Sequence, residues 1–96
     1  MATYIALFNF TEHGVKEYRN TTKRAKRFKA LTKKSGGKVK EIYWTLGTYD
    51  GVAVFEAKND ESATALMLEL ASEGSVHTST LRAFTTSEME AIIGKS

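Results

Sequence analysis

The stretch TLGTYDGVAVFEA, Thr45 to Ala57, sets a glycine, a tyrosine and an aspartate between two apolar runs. The run before it, Val39 to Leu46 (VKEIYWTL), and the run after it, Val52 to Ala57 (VAVFEA), are rich in branched and aromatic residues, the composition of strands. A short polar connection such as GTYDG joins two runs of this kind as an antiparallel hairpin. Gly47 can take positive φ and the Asp50 carboxylate can accept from a nearby backbone amide, so GTYD reads first as a turn.

Working outward, Thr3 to Phe10 (TYIALFNF) is another strand, largely apolar on both faces. After a polar segment weakened by Gly14 and Asn20, Thr21 is placed to cap a helix from Thr22 to about Lys34, which the pair Gly36-Gly37 ends. Beyond the hairpin, Asn59 or Asp60 caps a second helix, with Ala63, Leu66, Met67 and Leu70 at helical spacing and Gly74 closing it. Val76 to Thr85 is a final strand, and Thr86 or Ser87 with Glu90 opens a short C-terminal helix.

The order is βαββαβ plus a terminal helix, which predicts an α+β, ferredoxin-like sandwich with a four-stranded antiparallel sheet. Two helices cover only one face of such a sheet. Here both faces are apolar: Ile42, Trp44 and Leu46 share one parity, Val39 and Tyr43 the other, and Val52 and Val54 alternate with Ala53 and Phe55. A sheet apolar on two sides with helices for one predicts a sheet-to-sheet dimer or a larger homo-oligomer.

At 96 residues the chain reads as one domain, 1–96, able to bury only about two-thirds of its unfolded surface, so a partner subunit helps. It has no cysteine, which removes disulfides, thiolate nucleophiles and cysteine-ligated metals. MATYIALFNF has no basic n-region and falls far short of the about 20 apolar residues of a membrane span, so the expectation is a soluble, cytoplasmic protein with no membrane partner. The net charge of +3 conceals a polarity: residues 1–48 carry eleven Lys/Arg against three Glu, and residues 49–96 carry three Lys/Arg against eight Asp/Glu. That polarity can steer acidic partners, or set one subunit's basic face against another's acidic face.

Two segments, IYWTLGTYDGVAVFEAKNDESATAL and HTSTLRAFT, resemble the GYD-domain family, named for the Gly-x-Tyr-Asp segment seen here as Gly47, Tyr49 and Asp50. KRAKRFKALTKKSGGKVKEIYW is similar to the family's helix and following strand, extending the resemblance over roughly Thr3 to Glu88. The resemblance implies a ferredoxin-like fold of the dimeric α/β-barrel type and assigns no reaction. His77 stands where members often show arginine, and Thr22 where a proline is common.

Candidate chemistry is sparse. Tyr49 and Asp50 can present a phenol and a carboxylate at the rim of a cleft, against the plainer reading of a turn with a packed tyrosine. His77 and Arg82 have odd separation on one strand and therefore point to opposite faces. Arg82 shares parity with Val76, Thr78, Thr80 and Phe84, where it can clamp a carboxylate or phosphate or, more simply, form an ion pair with Glu56 or Glu41. Trp44 with Tyr43 and Phe55 can form an aromatic ligand box or simply pack. His13 and His77 lack metal-ligand spacing, and neither a phosphate-cradling glycine motif nor a GxSxG segment is present, so no metal, cofactor or catalytic residue is assigned. The basic run Lys23 to Lys29 can contact nucleic-acid phosphates, but its one aromatic, Phe28, has the spacing of the buried face, and a solvated helix face is the simpler account.

The function expected from these readings is a small homo-oligomeric protein that binds a small organic or anionic ligand between sheet and helices or between subunits. Two alternatives stand beside it: a cofactor-free enzyme, a kind of activity found alongside binding and regulatory modules in the dimeric α/β-barrel group, and nucleic-acid binding through helix 22–34.

Overall fold

The structure is a computed structural model and describes residues 1–95. Four strands, β1 (Ala2–Phe10), β2 (Lys38–Trp44), β3 (Gly51–Ala57) and β4 (Val76–Ala83), form one antiparallel sheet in the order β2-β3-β1-β4. A short helix α1 (Glu12–Lys16) and one 3₁₀ turn lead into α2 (Thr21–Lys34); α3 (Asp60–Ser72) connects β3 to β4, and α4 (Thr86–Gly94) follows β4. This is the ferredoxin-like α+β arrangement that the sequence predicts.

The central strand β1 lies between β3 and β4, with Tyr4 opposite Phe55 and Arg82, and Ala6 opposite Ala53 and Thr80. Alternate residues of β3, Gly51, Ala53, Phe55 and Ala57, are buried beneath the helices. Small residues at Ala6, Ala53, Ala57 and Ala63 let helix and sheet approach closely, and three rings fill the remaining space. Phe55, with no exposed surface, stacks on Tyr4 at 5.4 Å and meets Phe28 of α2 edge-on at 5.8 Å.

Three details depart from the sequence expectation. Val39 pairs with Phe55 on the helix side with Ile42 and Trp44, not with Tyr43, because a β-bulge between Val39 and Glu41 inserts Lys40 and restores the parity. Asn20, not Thr21, precedes α2 and caps it without a side-chain bond; Thr21 is the first helical residue, and its hydroxyl accepts instead from the Trp44 indole N–H at 3.0 Å. The C-terminal helix starts one position earlier than expected. Thr85 caps it and Glu88 closes a capping box, the Thr85 amide holding the Glu88 carboxyl below its ordinary range.

Asn59, the first of the two residues expected to cap α3, does so by accepting from Ser62 N. Its neighbour Asp60 is thereby free to accept from the Tyr4 hydroxyl at 2.5 Å.

Gly51 is where the hairpin meets β1. A Cβ there would lie 2.0 Å from Phe8 Cζ and 2.7 Å from the Tyr43 carbonyl oxygen, so Phe8 can cross the strand only over a glycine. Gly51→Ala is expected to lower unfolding free energy by about 1–3 kcal/mol, read as a drop in denaturant midpoint with little change in slope.

Candidate functional site

The hairpin loop is held at both ends. Thr45 N donates to Asp50 O at 2.9 Å and Thr45 Oγ1 to Tyr49 O at 2.5 Å, which closes Leu46–Tyr49 into a four-residue turn with Gly47 at φ +103°. The Asp50 amide is shared between Phe8 O (2.9 Å) and the Asn9 side-chain oxygen (3.0 Å), and the Asp50 carboxylate accepts from Phe10 N at 2.9 Å. Asp50 thus ties the turn to the last residues of β1. This is the backbone bond its type favours, made to a strand forty residues away. Tyr49 is partly exposed and its hydroxyl has no hydrogen-bond partner among the described residues.

Beside this end of the sheet lies a small cavity beneath α2 and α3. Its inner wall is Ala6, Phe8, Phe28, Ile42 and Ala53; its rim carries Trp44, Thr21, Arg24, Glu73 and Thr78, and its volume is about 60 Å³. Drug-sized ligands occupy pockets of about 300–1,000 Å³, so this space admits only a group of a few heavy atoms. At the rim Arg24 donates to Glu17 O at 3.2 Å and Glu73 pairs with Arg27 at 3.2 Å. Thr21, Arg24, Glu73 and Thr78 carry no motif that marks them in the sequence; their meeting depends on the crossover of α2 and α3.

The five candidate residues divide into separate places. Trp44 edges the cavity, and Tyr49 and Asp50 sit on the adjoining turn. His77 faces the other side of the sheet, exposed, opposite Asn9. Arg82 lies at the far end, opposite Tyr4, five residues along β1 from Asn9 or about 17 Å. It forms no ion pair with Glu56 or Glu41, which stand on the opposite face of the sheet. Its guanidinium lies instead over the Tyr4 and Phe84 rings at 5.6 and 4.5 Å and donates to the Thr3 and Ala83 carbonyls.

Burial and the bond to the Asp60 carboxylate push the Tyr4 phenol up to about 12, with Arg82 opposing. Tyr43 is also raised, by a hydrogen bond to Glu41. Tyr4, Tyr43 and Glu88, the groups so displaced, all lie outside the cavity lining. Among the described residues no group of three or more His, Asp or Glu side chains is placed to hold a metal, and no helix is long and apolar enough to cross a membrane.

The face of the sheet away from α2 and α3 is the larger feature. Leu81, Ile5 and Val54 run across it in register, and Leu7, Val52 and Tyr43 form a second row beside them. All six are partly or fully exposed, and Glu41, Glu56, Lys38, Asn9 and His77 surround them.

Fold and surface together define a ferredoxin-like domain with one covered and one apolar open sheet face. The chain belongs to the GYD domain family, whose profile matches residues 4–93. It is 36% identical over 90 residues to a Thermus thermophilus protein named "Glutamine synthetase and cystathionine beta-lyase binding protein", covering 93% of this chain and 95% of the relative. Among solved structures it is similar to TTHA0845 of Thermus thermophilus (TM-score 0.58, 24% identity, 90% of this chain and 96% of that one). FFRP-DM1 has a similar fold (TM-score 0.64, 20% identity, 88% and 100% covered). MtbAldR does too (TM-score 0.68, 14% identity), with 88% of this chain covered but only 52% of that longer chain's length spanned.

Asp50→Ala is expected to cost about 1–3 kcal/mol by stripping the Phe10 amide of its partner, whereas Tyr49→Phe changes stability by less than about 0.5 kcal/mol; chemical denaturation separates the two. The raised Tyr4 pKa gives stability that is full below the ordinary tyrosine pKa and is lost as pH rises through about 12. Ultraviolet titration should show a phenol ionising at about pH 12, and Tyr4→Phe should remove it and flatten the alkaline fall in stability.

Proposed function

We propose that this chain is a homo-oligomeric binding protein that docks on an enzyme and carries out no reaction of its own. The observation that carries the reading is the distribution of apolar surface: a small cavity of about 60 Å³ on one side of the sheet against a continuous block of six half-exposed side chains on the other. A block of that kind suits pairing of two sheets face to face, the dimeric α/β-barrel arrangement. The name of the Thermus thermophilus relative supports enzyme subunits as the further partner, and such a role fits a cytoplasmic protein.

Cofactor-free catalysis requires a polar group with a displaced pKa inside a closed site, and the displaced groups here lie elsewhere. Ligand binding is a second reading, favoured by the apolar cavity with Arg24 and Glu73 at its mouth; its ligand has few heavy atoms.

The test is light scattering after size exclusion, followed by calorimetric titration into glutamine synthetase and cystathionine β-lyase from the same source. A dimer or larger species is expected, with saturable heat from at least one enzyme. Val54→Lys, which places a charge in the middle of the open face, should reduce the mass to that of a smaller species. A wild-type monomer giving no heat with either enzyme would overturn the reading.

A further inference from the structure

The helix layer on the covered side presents an electrical pattern that its own chain leaves uncompensated. On α2 the outward side chains include Lys23, Lys26, Lys29 and Lys33, spaced three or four apart so that each stands beside a like charge. The first turn of α2 has no acidic residue, and Lys23 and Arg24 oppose the helix dipole there. Among the described residues only Arg27 of this helix finds a carboxylate, Glu73.

Its neighbour α3 is the converse. Asp60 is engaged by Tyr4 and Glu73 by Arg27, while Glu61 and Glu69 remain exposed without an ion pair among the described residues. Between those two carboxylates Leu68 is 67% exposed, with Ala65 and Ala71 beside it. The helix is apolar on its inner face, at Ala63, Leu66, Met67 and Leu70, while its outer face carries a single large apolar side chain, Leu68, set among Glu61, Thr64 and Glu69.

We infer that the α2–α3 layer is a self-complementary interface for a second copy of this chain. Because α2 and α3 lie side by side, a two-fold axis along the layer brings α2 of each copy over α3 of the other. Lysine stems then lie across Leu68 while their ammonium groups reach Glu61 and Glu69. One operation satisfies both uncompensated patches. A nucleic acid would neutralise α2 but set its phosphates against the carboxylates of α3, and an acidic protein surface would leave Leu68 uncovered.

Two helices of about 20 Å length lying about 10 Å apart give a footprint of about 400 Å². A standard interface buries about 800 Å² on each partner, so this contact is weak, concentration-dependent and sensitive to salt. It does not depend on enzyme docking or on pairing through the open sheet face.

Sedimentation equilibrium of the full chain at about 50 and 500 mM NaCl tests it, with Val54→Lys as a background in which pairing through the open face is suppressed. Association should weaken at least about tenfold at the higher salt. It should weaken similarly at low salt in Lys26→Glu/Lys29→Glu and in Glu61→Lys/Glu69→Lys, with far-ultraviolet dichroism confirming that each variant is folded. Mixing the two variants should restore association as a heterodimer, because each supplies the charge the other lacks. If the mixture fails to associate, or neither variant differs from its parent, the inference is wrong. It is also wrong if the lysine variant loses affinity for glutamine synthetase while self-association is unchanged, an outcome that gives α2 to the enzyme.

Discussion

Phe55 is the residue on which the two layers close. It sits on the strand that pairs with both β2 and β1, stacks on Tyr4 from β1 and receives Phe28 from α2, so one buried ring joins three elements distant in sequence. The surrounding alanines have meaning only in relation to it: they allow the helices near enough for Phe28 to reach the ring. Tyr4 adds a polar outlet. Its hydroxyl leaves the core toward Asp60 at the start of α3, so the same stack that closes the core also anchors the second helix.

Where the chain turns, its polar groups serve the backbone. GTYD contains the residues most suggestive of chemistry, yet the Asp50 carboxylate is taken up by a backbone amide and its own amide by Phe8 and Asn9. Asp50 is a brace between the hairpin and the central strand, and Tyr49 stands partly exposed on the turn beside it. The consequence for function is that the molecule's distinctive surfaces are extended ones, an apolar sheet face and a charged helix layer, rather than a convergent pocket.

The element order, the alternation along β1 and β3 and the opposite facing of His77 and Arg82 were legible because they follow from a period of two and from residue type. The parity of Val39 was not, since a bulge leaves no mark in a run such as VKEIYW and becomes visible only against its partner strand. The same limit applies to Arg82. Its charge suggested a carboxylate partner, but Glu56 and Glu41 lie across the sheet, and only the fold shows that two aromatic rings take their place. Asn9 and Glu73 carry no mark in the sequence, and Thr21 is marked there only as a helix cap, because ordinary polar residues acquire a role only through neighbours brought by tertiary structure. The cap at Thr85 lies one position before the expected one, since three consecutive hydroxyl residues, Thr85, Thr86 and Ser87, all suit an N-cap, Thr85 and Ser87 each have a glutamate three residues on, and only the folded chain shows that Thr85 and Glu88 form the box.

The bulge on β2 has a consequence beyond parity. β2 is an outer strand, and an outer strand with free amides and carbonyls invites another chain to extend the sheet, the route by which many β proteins aggregate. Here that edge is broken at Lys40 and flanked by Lys38, both exposed. An incoming strand would have to follow a kinked backbone and bury or displace two ammonium groups, so growth along the hydrogen-bonding direction is discouraged at that side while both broad faces of the molecule stay available.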